Sequence, residues 1–198
     1  ISASDWSWTP LFLDVDLDGY EDLLISNGNE MDMFDVDVGA RAEAMKSSRK
    51  MGFLETLNMR RMFARLDTPN AAFRNRGDLT FEEVTQAWGF DAPGVEQGMA
   101  AADLDGDGRP DLVVTNGDNG EYASPIKRYH GIRVYMGRPD LTFKESFFYP
   151  LNGAFKAFIR DFDQDGHPEI AAISYFPDYS QSPEEGFVCL ENRGNFRF

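Results

Sequence analysis

Three times the chain repeats one ten-residue pattern: Asp-x-Asp-x-Asp-Gly-x-x-carboxylate-aliphatic. The copies run from Asp14 to Leu23, from Asp103 to Leu112 and from Asp161 to Ile170. Gly19, Gly108 and Gly166 fill the sixth position, where a sharp turn demands a residue free to take positive φ. Four carboxylates held so close repel one another or take up protons unless a cation sits among them. Oxygen donors at loop positions 1, 3, 5 and 9 suit a hard ion of calcium size. A single acidic turn is weak evidence for a metal, but three copies, each leading into an apolar run, leave little room for coincidence. We therefore expect three Ca2+ sites. Their carboxylates are Asp14, Asp16, Asp18 and Asp22; Asp103, Asp105, Asp107 and Asp111; and Asp161, Asp163, Asp165 and Glu169. The main-chain carbonyls of Tyr20, Arg109 and His167 occupy position 7, and water is expected to complete each shell.

The EF-hand loop begins in the same way but needs a bidentate Glu at position 12 and a helix on either side. Here position 12 falls on Ile25, Val114 and Ala172, none of which ligates a metal. The flanking segments, such as Leu11-Phe12-Leu13 before and Leu112-Val113-Val114-Thr115 after, are short apolar runs bounded by Gly, Asn and Asp, which read as strands. Each loop is thus expected at a strand-to-strand turn. A second repeated segment follows: Ala72 to Phe81, Val134 to Phe143 and Cys189 to Phe198, each a strand, a turn and a strand. The unit is therefore strand, acidic turn, strand, longer loop, strand, tight turn, strand, at a period in the range typical of propeller blades.

These residues resemble the FG-GAP/VCBS repeat family, the calcium-loop β-propellers that include integrin α-subunit heads. The first half, to about Thr115, resembles bacterial VCBS proteins associated with ASPIC/UnbV domains, and the part from Asn116 onward another FG-GAP subgroup. The resemblance implies an all-β propeller built of four-stranded blades. One segment, 1–198, would hold blade 1 at about 8–84 with a helical insertion at 28–70, blade 2 at about 97–146 and blade 3 at about 153–198. Propellers close with four to eight blades, so the remaining blades are expected from further sequence or from another chain.

A net charge of −15 argues against a nucleic-acid partner. Twelve of the 34 acidic residues are the proposed ligands, and three divalent ions would cancel six of the negative charges. No run is long enough to span a bilayer. The single cysteine, Cys189, excludes an internal disulfide framework and is expected to be a buried, inert thiol in a strand. Surface-turn calcium sites suit millimolar extracellular calcium, so an extracytoplasmic location (secreted, periplasmic or cell-surface) is expected.

The loop between second and third strands is long in every unit: Gly28 to Asn70, Gly117 to Gly131 and Phe176 to Gly186. Antiparallel strands put these loops on the face opposite the metal turns. The first reads as helical from Gly39 to Leu66, basic, with a Met/Leu/Phe stripe that packs over the sheets or docks on an acidic or membrane surface. Tyr122, Tyr129, His130, Phe176 and Tyr179 are the candidate ligand-binding residues of that face, where aromatic groups stack on sugars or anchor a partner. No nucleophile–base or zinc-protease motif is present. The function expected is a binding or assembly module for a protein or glycan partner, with the propeller of a polysaccharide lyase or hydrolase as the alternative.

Overall fold

A computed structural model of the chain describes residues 6–66, 68–118, 127–177, 179, 186–194 and 197–198. The strand pattern of the sequence becomes three antiparallel sheets. The first holds β1 (Ser7–Leu13), β2 (Asp22–Asn27), β3 (Ala71–Asn75) and β4 (Phe81–Glu83) in chain order. The second repeats that order with β5 (Gly98–Ala102), β6 (Asp111–Asn116), β7 (Gly131–Gly137) and β8 (Phe143–Pro150). In the third, β10 (Glu169–Ser174) lies between β9 (Ala154–Arg160) and β11 (Phe187–Leu190).

Every acidic loop closes the first hairpin of its sheet. Leu13 pairs with Asp22, Ala102 with Asp111 and Arg160 with Glu169 across the three loop mouths. The sixth-position glycines take φ of 94°, 84° and 91°, the left-handed geometry that the turn requires. The tight turns repeat as well. The Arg76 amide donates to the Thr80 carbonyl and the Arg138 amide to the Thr142 carbonyl, both at 3.0 Å.

The third unit departs from expectation, since three strands rather than four form its sheet among the described residues. Its last turn survives, with the Arg193 amide donating to the Arg197 carbonyl at 2.8 Å. Beyond it, Phe198 sets its ring 5.0 Å from that of Phe147 on β8.

The middle sheet is covered on both faces, which is why β6 is buried along its whole length. Its alternating side chains divide between two cores, as a pleated strand dictates. Leu112 and Val114 join Leu24, Ala72, Trp88, Phe90 and Phe143 against the first sheet. Val113, Ile132 and Val134 join Ala157, Ile170 and Ala172 against the third. Hydroxyls tie neighbouring sheets at matching places. Ser26 Oγ donates to the Gln97 carbonyl and Thr115 Oγ1 to the Phe155 carbonyl, each at 2.8 Å. Gly98 permits the second of these approaches, because a Cβ there would lie 2.6 Å from the Phe155 oxygen. The equivalent position in the third sheet is Ile173, which is 38% exposed.

The first insertion is not one helix over 39–66. It forms α1 (Val36–Ser48), α2 (Phe53–Met59) and a 3₁₀ turn (Arg60–Met62). Asp35 caps α1 by accepting the amides of Asp37 and Val38 at 3.1 and 3.0 Å, so the helix begins earlier than its apolar spacing implies. The chain leaves the helical path over Arg49 to Gly52, where glycine weakens helix. Only part of the stripe packs: Met59 and Phe63 are buried, whereas Leu54 is exposed. Cys189, expected to be buried, is exposed on β11. Partial burial and the Glu169 carboxylate push its thiol pKa up, against thiolate chemistry. No helix among the described residues is long and apolar enough to cross a membrane.

Candidate metal centres

The three loops share one hydrogen-bond plan, with a separate task for each carboxylate. At position 1, Asp14 accepts the amides of Asp18 and Gly19 at 3.0 and 2.9 Å. Asp103 does the same for Gly106, Asp107 and Gly108, and Asp161 for Asp165 and Gly166. This residue curls the loop around its own side chain. At position 5, Asp18, Asp107 and Asp165 accept the amides of Tyr20, Arg109 and His167 at 2.8–2.9 Å. At position 9 the carboxylate is buried and reaches back. Asp22 accepts the amides of Val15 and Asn75, Asp111 those of Leu104 and Gly137, and Glu169 that of Phe162, all at 2.7–3.0 Å. Asn75 and Gly137 end the third strands, so Asp22 and Asp111 staple the loop to the rest of the sheet.

Each loop gathers three acidic residues whose ligand oxygens lie within 4.8 Å of one another. They are Asp14, Asp16 and Asp18; Asp103, Asp105 and Asp111; and Asp161, Asp163 and Glu169. The sequence assigned four carboxylates to each loop; the one left outside is at position 9 in the first loop and at position 5 in the other two. Asp22 spends its oxygens on two amides, Asp107 forms a close ion pair with the Arg109 guanidinium, and Asp165 accepts only the His167 amide among its described contacts. In the first loop Arg74 also reaches in, 2.5 Å from Asp16 and 3.4 Å from Asp18.

These sites fit a hard cation on chemistry as well as count, for every gathered side-chain donor is a carboxylate oxygen. Asp16 Oδ1 and Glu169 Oε1 are buried without a hydrogen-bond partner, a costly state that a cation would relieve. Burial pushes the pKa of Asp22 and Asp105 up, and neighbouring carboxylates add to it. At Asp111 burial, with Asp105 and Asp107 beside it, raises the carboxyl to about 6.

The insertion side holds a second constellation. Tyr129 and His130 are not an exposed aromatic display. His130 is 2% exposed, with Nε2 2.8 Å from Asp118 Oδ1 and Nδ1 3.0 Å from Asn152 Oδ1. Tyr129 donates its hydroxyl to the same Asp118 oxygen at 2.8 Å, and Lys127 approaches it to 2.5 Å. Burial pushes the Asp118 carboxyl up, but the His130 hydrogen bond and the Lys127 charge prevail and hold it at about 2. Lys127 also pairs with Glu30 at 3.1 Å, and Arg60 lies 3.9 Å from Asp118, so this network locks the first insertion to the second. The clue in the sequence was the crowding of Asp118, Lys127, Tyr129 and His130 into one loop. Phe176 and Tyr179 do stand out, 41% and 63% exposed. Tyr122 lies outside the described residues.

No curated protein matches the chain. A family model does: the FG-GAP-like repeat matches residues 62–114. With three equivalent acidic hairpins, one of them inside that match, the chain carries an FG-GAP-like repeat.

Proposed function

We propose that this chain is a calcium-binding β-propeller segment that works outside the cytoplasm as a binding or assembly module for a protein or carbohydrate partner. The observation that carries the reading is the threefold recurrence of an all-oxygen carboxylate cluster at the same hairpin of successive sheets. Asp14, Asp16 and Asp18 would hold the first ion, Asp103, Asp105 and Asp111 the second, and Asp161, Asp163 and Glu169 the third. A bound Ca2+ supplies positive charge that cancels carboxylate repulsion and crosslinks the turn. Arg74 does part of that work in the first loop and must yield or share Asp16 when the ion arrives. The propeller reading draws support from sheets stacked face to face through two successive cores. The remaining blades would cover the outward faces, where Phe12 on β1 and Phe158 and Phe187 on the third sheet are exposed.

Calorimetric titration of the chelator-stripped protein with Ca2+ is expected to reveal three sites. A partner is sought by glycan array and pull-down beside a polysaccharide-degradation screen. Absence of calcium binding at millimolar ion would remove the metal reading, and turnover of a polysaccharide would replace the binding module with an enzyme.

A further inference from the structure

Between the first and second sheets, on the insertion side, lies a cavity of about 230 Å³ that includes none of the acidic loops. Its floor is polar and buried: Glu96 and Asn116 are 4% and 3% exposed. Asn116 donates Nδ2 to the Val95 carbonyl at 2.9 Å, while its Oδ1 has no hydrogen-bond partner. A buried acceptor left in that state costs about 1–3 kcal/mol, so the floor calls for a donor from outside. Glu96 is held in place by a close hydrogen bond from Asn70 Nδ2 and another from Tyr135. Tyr129, Tyr135 and Arg133 form the walls, and the exposed rim includes Glu145.

The charges here are already matched. Glu145 pairs with Arg133 at 2.9 Å, and Glu30 pairs with Lys127 at 3.1 Å. Burial raises the Glu96 carboxyl to about 7, so near neutral pH much of it carries no charge. Arg65, which also lines the cavity, is likewise not without a partner, so an ion finds these charges already engaged. What the walls offer is a mixture of hydrogen-bond donors and acceptors beside two aromatic rings. Hydroxyl groups, each able to donate and accept, suit such a mixture, and the C–H face of a sugar ring suits an aromatic wall. Drug-sized ligands occupy pockets of roughly 300–1,000 Å³, so the space here takes one sugar ring and not an extended segment.

We propose that this cavity binds a single neutral pyranose residue, free or at the end of a glycan, with Asn116, Glu96 and Arg133 as its polar contacts and a tyrosine ring beneath it. The proposal rests on the carbohydrate side of the function inferred above and narrows it to one place. The test is saturation-transfer NMR with calorimetry, using neutral hexoses and N-acetylhexosamines on the full chain in saturating Ca2+. Asn116→Leu and Arg133→Met are compared with the parent protein, with calcium stoichiometry and circular dichroism as controls. At least one sugar is expected to bind, with affinity about tenfold or more weaker in each variant and calcium binding unchanged. Should Asn116→Leu fail to fold, Arg133→Met at the partly exposed wall decides the question alone. Absence of transfer to every neutral sugar, unchanged affinity in the variants, or preference for a charged sugar or ammonium ion overturns the proposal. Capture of a partner through Phe176 and Tyr179 without sugar binding removes the pocket and leaves the binding-module reading standing.

Discussion

Asp118 and Glu96 are both buried acids, yet their surroundings drive them in opposite directions. Asp118 is held near 2 by His130, Lys127 and Tyr129. Its folded pKa lies below the usual 3.8, so its stabilisation is present above that value and is lost as pH falls toward 2. Asp118→Ala would take the shared carboxylate from His130, Tyr129 and Lys127, leaving Lys127 its pair with Glu30, and is expected to cost about 3 kcal/mol in denaturant unfolding. Glu96 has the opposite sign. Its pKa is raised from 4.5 to about 7, so its full contribution is present below 4.5 and is lost as pH rises through 7. Glu96→Gln is expected to flatten that dependence, removing a penalty on the order of 3 kcal/mol above pH 7, as read from urea midpoints across the window. The sequence hinted at the first, since the partners of Asp118 share its loop, but not at the second, because Glu96 meets Asn70 and Tyr135 only through folding.

At the scale of the hairpin, carboxylates that look alike in the motif divide into two kinds. Position 9 is structural before any ion binds, since Asp22 accepts amides from both its own loop and the end of β3. Asp22→Ala is expected to destabilise the protein by about 3 kcal/mol even in excess chelator, measured by chemical denaturation. Asp163, in the third cluster, differs in being bonded within its loop only to the Asp165 amide at 3.2 Å. Asp163→Asn is expected to weaken one of three calcium sites in calorimetric titration and to leave unfolding in chelator nearly unchanged. Loop, flanking strands and tight turns were all legible, for each is set by residues a few positions apart. The helical insertion was legible only in kind, because the Asp35 cap and the break at Arg49 to Gly52 override the apolar spacing of Gly39 to Leu66.

For the whole molecule, the calcium reading proposed above ties stability to the ion, because three loops are crowded with carboxylate. A site held at a hundred times its Kd contributes about 2.7 kcal/mol, and a chain of this size shifts its Tm by about 2–4 °C per kcal/mol. Chelation is therefore expected to lower the Tm by at least about 5 °C in scanning calorimetry, more than matched salt does. A Tm that does not move would show that these loops hold their shape without metal. The net charge of −15 should also make the metal-free protein the more salt-sensitive of the two forms, because added salt screens the same repulsion.

The sequence by itself determined the acidic loops, the strands that carry them and the order in which antiparallel pairs form. Short apolar runs, glycine at the sixth position and turn residues are local signals that act before distant segments meet. Only the tertiary structure decided which three carboxylates of each loop gather and which one stands apart. It likewise turned Tyr129 and His130 inward and left Cys189 exposed. It also set Asn116 and Glu96 in the floor of one cavity. Those outcomes depend on which sheet packs against which, and no spacing along a single strand records the chemistry of the neighbouring one.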